Sequence, residues 1–155
     1  MPDVTIRDGQ EADRTWAARL LSTSEPWITL RLSYDACLES CSSPADRLYV
    51  AWMGPTPCGL ALVRARGLAG APYLVSIAVA DTVRGQGIGA RILAFVEGLY
   101  RSRSRHLFLS VSSFNSRART FYERSGYVAV GLLPDFIIEG ADEVLMVKRL
   151  QPPVA

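Results

Sequence analysis

The sequence predicts an α/β fold: a mixed, mostly antiparallel sheet of six to seven strands accompanied by about four helices. Three observations predict it. Apolar runs of strand length recur along the chain, several of them divided by short turns of glycine and proline. Four other segments carry apolar residues at helical spacing. Only one helix lies between two strands as the crossover that parallel neighbours require, so the other strands read as antiparallel.

Taken in order, "DVTIR" (residues 3–7) alternates as a first strand, and "GQEADRTWAARLLSTS" then sets Ala12, Trp16, Leu20 and Leu21 at helical spacing. The segment "SEPW" (24–27) interrupts that pattern, because proline disfavours a helical residue before it. A shorter helix starts near Ser33 and runs through "YDACLES". "RLYVAWM" and "CGLALVRAR" form a hairpin around "GPTP", and a loop, "GLAGAP", leads to the strand "YLVSIAVA". Ile88, Ile92, Phe95, Val96 and Leu99 then make a stripe that buries one face of a helix against the sheet. "HLFLSV" is the strand after this crossover, "NSRARTFYERSG" a helix closed by glycine, and "YVAVGLL" and "DEVLMVKRL" are the last two strands.

The length of 155 residues suits one domain, taken as 1–150 with a frayed tail at 151–155. Apolar runs are too short and too broken by charge for a membrane span, and the polar start "MPDVTIRDGQ" does not read as a secretory leader. A cytoplasmic protein without a membrane partner is expected. Cys37, Cys41, Cys58 and the single histidine, His106, do not make a zinc site, so no metal is expected. A net charge of +2 argues against a general nucleic-acid binder. The local run "RSRSRH" (101–106) fits a basic helix C-terminus that complements the helix dipole.

The chemistry concentrates in "RGQGIGA" (84–90), a glycine-rich turn between a buried strand and an amphipathic helix. Such turns hold phosphate, because free amide N–H groups and the positive helix end converge there. Gly85, Gly87 and Ala90 satisfy the dinucleotide pattern G-x-G-x-x-G/A, but the following strand ends in "SVSSFN", with no acid for a ribose. A nucleotide-hydrolysing P-loop would need Gly-Lys-Ser/Thr, which is absent. The remaining pattern is R-x-x-G-x-G, formed by Arg84, Gly87 and Gly89.

That pattern resembles the acyl-CoA signature of the GNAT (Gcn5-related) N-acetyltransferase superfamily. A second stretch, "NSRARTFYERSGY" (115–127), is similar to the other hallmark of the superfamily, N-x-x-A-x-x-F/L-Y-x-x-x-G-F/Y, at every fixed position. Together the two motifs span residues 75–127, about a third of the chain. The resemblance implies the GNAT fold, whose sheet splays between its fourth and fifth strands, and acetyl-CoA as the acyl-donor cosubstrate. It implies that Arg84, Gly85, Gln86, Gly87, Ile88, Gly89 and Ala90 hold the diphosphate and that the backbone of Ile77, Ala78 and Val79 takes the pantetheine like an added strand. By the same resemblance Tyr122 points at the CoA sulfur as a general acid, Asn115 touches the pantetheine arm, and Ala118 allows close approach. Read from the residues alone, Asn115 is equally a helix cap and Tyr122 a core aromatic with its hydroxyl at the rim.

The implied reaction is direct transfer to a primary amine of a small molecule or a protein N-terminus, by a monomer or homodimer. Its alternative is an acyl-CoA-binding or regulatory module without turnover. "EPW" near residue 26 and the second motif also look like the ribosomal-protein alanine N-acetyltransferases. Those enzymes place a glutamate in the fifth strand, where this chain has Ser110. The base must then come from elsewhere: Glu25, ranked first, or Asp135 or Glu143 flanking the last turn, with Trp27 and Phe136 shaping the same cleft. The loops around residues 22–34 and 131–142 would set the acceptor.

Overall fold

The computed structural model describes residues 3–151 and contains seven strands and four α-helices. In chain order these are β1 (Thr5–Asp8), α1 (Asp13–Ser22), α2 (Tyr34–Ser42), β2 (Arg47–Met53), β3 (Thr56–Leu68), β4 (Ala71–Val79), α3 (Ile88–Tyr100), β5 (His106–Ser112), α4 (Ser116–Arg124), β6 (Val128–Ile138) and β7 (Ala141–Arg149). The sheet order is β1-β2-β3-β4-β5-β7-β6. Among the described residues only β4 and β5 run parallel, at the crossover read from the sequence.

Strand alternation divides the apolar side chains between two layers. Leu48, Val50, Leu60 and Leu62 face Ala17, Ala18 and Leu21 of α1 and the buried thiols Cys37 and Cys41 of α2. Their neighbours Tyr49, Ala51, Ala61 and Val63 join Ile88, Ile92, Leu93 and Val96 of α3 on the other face, together with Leu107, Leu109, Val144 and Met146. Gly59 lets α3 lie this close, since a Cβ there would come within 2.7 Å of the Ile92 side chain. The α1 face departs from the expected stripe. Ala17 and Ala18 are fully buried while Ala12 is only the N-cap residue, because small side chains let the helix sit directly on the sheet.

β3 and β4 pair regularly at Leu62↔Ser76 and then at Val63↔Leu74, so Val75 is an extra residue on β4. A bulge of this kind bends its strand and switches the faces of the residues beyond it. Leu74 accordingly belongs to the α3 layer and Ala78 to the α1–α2 layer. The bend also ends the pairing with β5, which is confined to Tyr73↔Phe108 and Leu74↔Leu109. Beyond those pairs the two strands part, and the sheet is open in its middle.

Two segments read as loops are strands. Leu68 pairs with Ala71, leaving Ala69 and Gly70 as a two-residue turn with positive φ at both positions. β6 continues through "PDFII" to Ile138 instead of ending at Leu133. Pro134 is tolerated because β6 is the sheet edge, where a missing N–H leaves no ladder bond unmade. Of the expected frayed tail, residues 152–155 lie outside the described residues.

Candidate active site

The parted strands open into a cavity of about 900 Å³, within the usual size of a small-molecule site. Its first wall is the edge of β4. Ala80 donates its N–H to the Cys58 carbonyl on β3 at 2.9 Å. Because N–H and C=O groups alternate sides along an antiparallel ladder, Ile77 and Val79 must direct theirs away from β3 and into the gap. Ala78 lines the cavity between them.

The second wall is the glycine turn. Gly85 and Gly87 have φ of +79° and +78°, and open space surrounds the position of a Cβ at each. The left-handed backbone, and not crowding, is what demands glycine there. Gly87 is the N-cap of α3 without a side-chain cap, and the first amide of the helix to bond back is Arg91, to the Gly87 carbonyl at 3.2 Å. The N–H groups of the first turn are therefore presented outward, as an anion site requires. Gly85, Gly87, Ile88, Gly89 and Ala90 all line the cavity, with Arg84, whose guanidinium pairs with Asp81 at 2.9 Å. Gln86 of the expected set is exposed and does not line it.

α4 supplies the third wall. Asn115 caps it by accepting the Ala118 N–H at 3.2 Å and lines the cavity, as do Ala118, Phe121 and Tyr122. Tyr122 is 7% exposed, and burial next to Tyr73 pushes its phenol well above the ordinary tyrosine range. It stays protonated across the working pH range.

The fourth wall carries the carboxylates. Glu143 on β7 stands opposite Ser112 of β5 in register, and its Oε1 accepts the Ser110 hydroxyl at 3.3 Å. Ser110 in turn shares a hydrogen bond of 2.6 Å with the Tyr73 hydroxyl. Glu143 is 4% exposed, and burial raises its carboxyl above the usual range, against the opposing pull of the Ser112 and Ser110 hydroxyls. Ser112 nevertheless makes no well-directed hydrogen bond, so Oε2 of Glu143 is buried without a partner among the described residues. Native structures keep such groups where a bound partner or a catalytic role accounts for them.

The other expected bases are placed differently. Glu25 lines the cavity but is exposed, and its carboxylate accepts the Thr29 hydroxyl. Asp135 holds the β6–β7 turn together, accepting the Gly140 N–H at 2.6 Å while its own N–H donates to Asp142. It does not line the cavity. Trp27 and Phe136 do, joined by Pro26, Leu30 and Ile137. The Tyr73–Ser110–Glu143 chain was not legible in the sequence. Ser110 and Glu143 were each singled out in the sequence, but nothing there joined them, since they sit 33 residues apart.

Among the described residues there is no cluster of His, Cys, Asp and Glu that could hold a metal, and no helix long and apolar enough to cross a membrane. The family model described as "Acetyltransferase (GNAT) domain" matches residues 16–150. An uncharacterized N-acetyltransferase of Methanocaldococcus jannaschii is 37% identical over 79 residues, 50% of this chain and 51% of that protein. The chain thus spans about half the length of that curated relative. The ribosomal-protein-S18-alanine N-acetyltransferase of Escherichia coli superposes with a TM-score of 0.77 at 17% identity, covering 98% of this chain and 97% of its own. An aminoglycoside 6′-N-acetyltransferase complexed with coenzyme A gives 0.77 at 18% identity, covering 97% and 99%. At such identities these two structures speak for the fold.

Proposed function

Because the chain belongs to the GNAT acetyltransferase family, we propose that it is an acetyl-CoA-dependent N-acetyltransferase that carries an acetyl group directly to a primary amine. The observation that carries this reading is the meeting, in one cavity, of outward-facing amides at the glycine turn, the free edge of β4, the Tyr122 phenol and the buried Glu143 carboxylate. The open cradle over Gly85 and Gly87 fits a diphosphate. The N–H and C=O groups of Ile77 and Val79 suit the amides of a pantetheine arm laid along β4, and in this reading the Val79 N–H supports charge on the thioester oxygen.

In the reaction the amine nitrogen forms a bond to the thioester carbon, and the carbon–sulfur bond breaks. Burial and an unpartnered oxygen favour Glu143 as the base. Glu143, buried and with a free oxygen, is the proton acceptor for the attacking nitrogen in this reading, ahead of exposed Glu25, which lines the same cavity. A carboxyl with a raised pKa is the stronger base once ionised, and Ser110 fixes its orientation. Tyr122 donates to the departing sulfur. Its elevated pKa favours a retained hydrogen bond to the thiolate over a free phenolate.

The test is Tyr122→Phe. Acceptor-dependent thiol release should fall roughly 100-fold, the usual scale for a positioned acid, with acetyl-CoA affinity unchanged. Coenzyme A binding without release to any amine would replace the enzyme with a binding module.

A further inference from the structure

Beyond the thioester position the cavity is walled by Pro26, Trp27 and Leu30 from the segment after α1 and by Phe136 and Ile137 of β6. The segment is held in place by short-range bonds, with Ser24 Oγ on the Leu20 carbonyl at 2.6 Å and the Leu30 N–H on the Pro26 carbonyl at 2.9 Å. Phe136 is 59% exposed and Ile137 41%, although both line a cavity mouth. Large apolar side chains left open at a mouth gain from covering by an apolar ligand.

Charge on this side is sparse. Glu25 and Glu143 are the carboxylates that line the cavity, and the first already accepts the Thr29 hydroxyl. The acids Asp135 and Asp142 each accept an N–H of the β6–β7 turn and do not line the cavity. A polycation needs a carboxylate for each ammonium it buries, and a peptide needs partners for its backbone amides. Neither demand is met by walls of proline, tryptophan, leucine, phenylalanine and isoleucine. Two buried oxygens at the cavity are left without partners, Glu143 Oε2 and Ser112 Oγ, side by side on paired residues, and the carboxylate is the one that can take the charge of a single nitrogen.

We propose that the acceptor is a compact monoamine with an apolar, aromatic or branched aliphatic body, its nitrogen at Glu143 and its body between Trp27 and Phe136. This rests on the N-acetyltransferase reading above and narrows it to a substrate class. The same geometry discriminates against polyamines, aminoglycosides and peptide N-termini, whose extra polar groups would be stranded in the apolar mouth.

Thiol release from acetyl-CoA tests this with phenethylamine and isoamylamine set against spermidine, kanamycin and an alanine-led peptide. The two monoamines should show kcat/KM at least about 100-fold above the others, on the scale of a site that leaves polar groups unpaired. Phe136→Ala, at a position 59% exposed, should raise KM for phenethylamine about tenfold, with coenzyme A affinity unchanged. Phe136→Glu should shift preference towards spermidine. Faster turnover of spermidine, kanamycin or the peptide by the unaltered protein would overturn the substrate class and leave the acetyltransferase standing. An unchanged KM in Phe136→Ala would overturn the class as well. No release with any of the five amines, with coenzyme A still bound, would overturn both.

Discussion

Two glutamates of this domain are withdrawn from solvent, Glu97 at 6% exposure and Glu143 at 4%, and their surroundings differ in kind. Glu97 of α3 is fully engaged, with Oε2 accepting the Tyr127 hydroxyl and Oε1 accepting Lys148 Nζ, both at 2.9 Å. Glu143 has one hydroxyl on Oε1 and nothing on Oε2, no cation within ion-pair reach among the described residues, and a raised pKa. The first is a structural bond between α3 and the end of the sheet. The second is a group that the fold desolvates without satisfying, and it lines the cavity. Burial alone therefore does not single out a candidate functional carboxylate; burial with an unmet valence, in a cleft, does.

The largest effect that separates the two is on turnover. Glu143→Gln should lower kcat roughly 100-fold or more while acetyl-CoA affinity, read by calorimetry, stays as it was. Glu97→Gln should leave kcat of the folded protein unchanged. An equal loss of kcat in both would erase the distinction.

Stability should run the other way. Glu97→Gln should cost about 2–4 kcal/mol in urea unfolding, less than a fully buried pair because the Lys148 side chain is 29% exposed. Glu143→Gln should be neutral or stabilising at neutral pH. The sign follows from the raised pKa. A carboxyl whose folded pKa lies above its unfolded value holds its proton more tightly in the folded state, so its contribution to stability is fully present below the unfolded pKa. It declines as pH rises from there towards the folded pKa and is lost above it. The stability gap between Glu143→Gln and the parent protein should consequently widen in favour of glutamine from pH 4 to pH 7. A constant gap would contradict the raised pKa.

A smaller effect belongs to the donor side. Gly87→Ala forces a Cβ into a φ of +78° and should cost about 1 kcal/mol of stability. Space is open at that Cβ, so any rise in KM for acetyl-CoA beyond the stability loss reports contact with the diphosphate.

The glycine turn and the capped α4 were legible in the sequence because their demands are local. Left-handed glycines before an amphipathic helix, and an Asn-capped helix with Ala118, Phe121 and Tyr122 on one face, are short-range requirements that each residue type announces. The acceptor side depends on register between distant segments. Nothing at Val75 signals the bulge that opens the sheet, and nothing in "ADEVLMVKR" shows that Glu143 faces Ser110 while Asp142 serves the turn. The exposure of Glu25 and the burial of Glu143 were not legible either, because neither can be read from a motif. The extent of β6 was missed because Pro134 reads as a strand breaker until its edge position is known.

The measurement that bears most directly on the role of Glu143 is the pH dependence of kcat at saturating acceptor for the parent protein and for Glu143→Gln. The parent should show an acid limb with a midpoint above the ordinary glutamate value, and the glutamine variant should lose that limb with its residual rate flat in the same range. A limb of unchanged midpoint in Glu143→Gln would place the proton acceptor on another group.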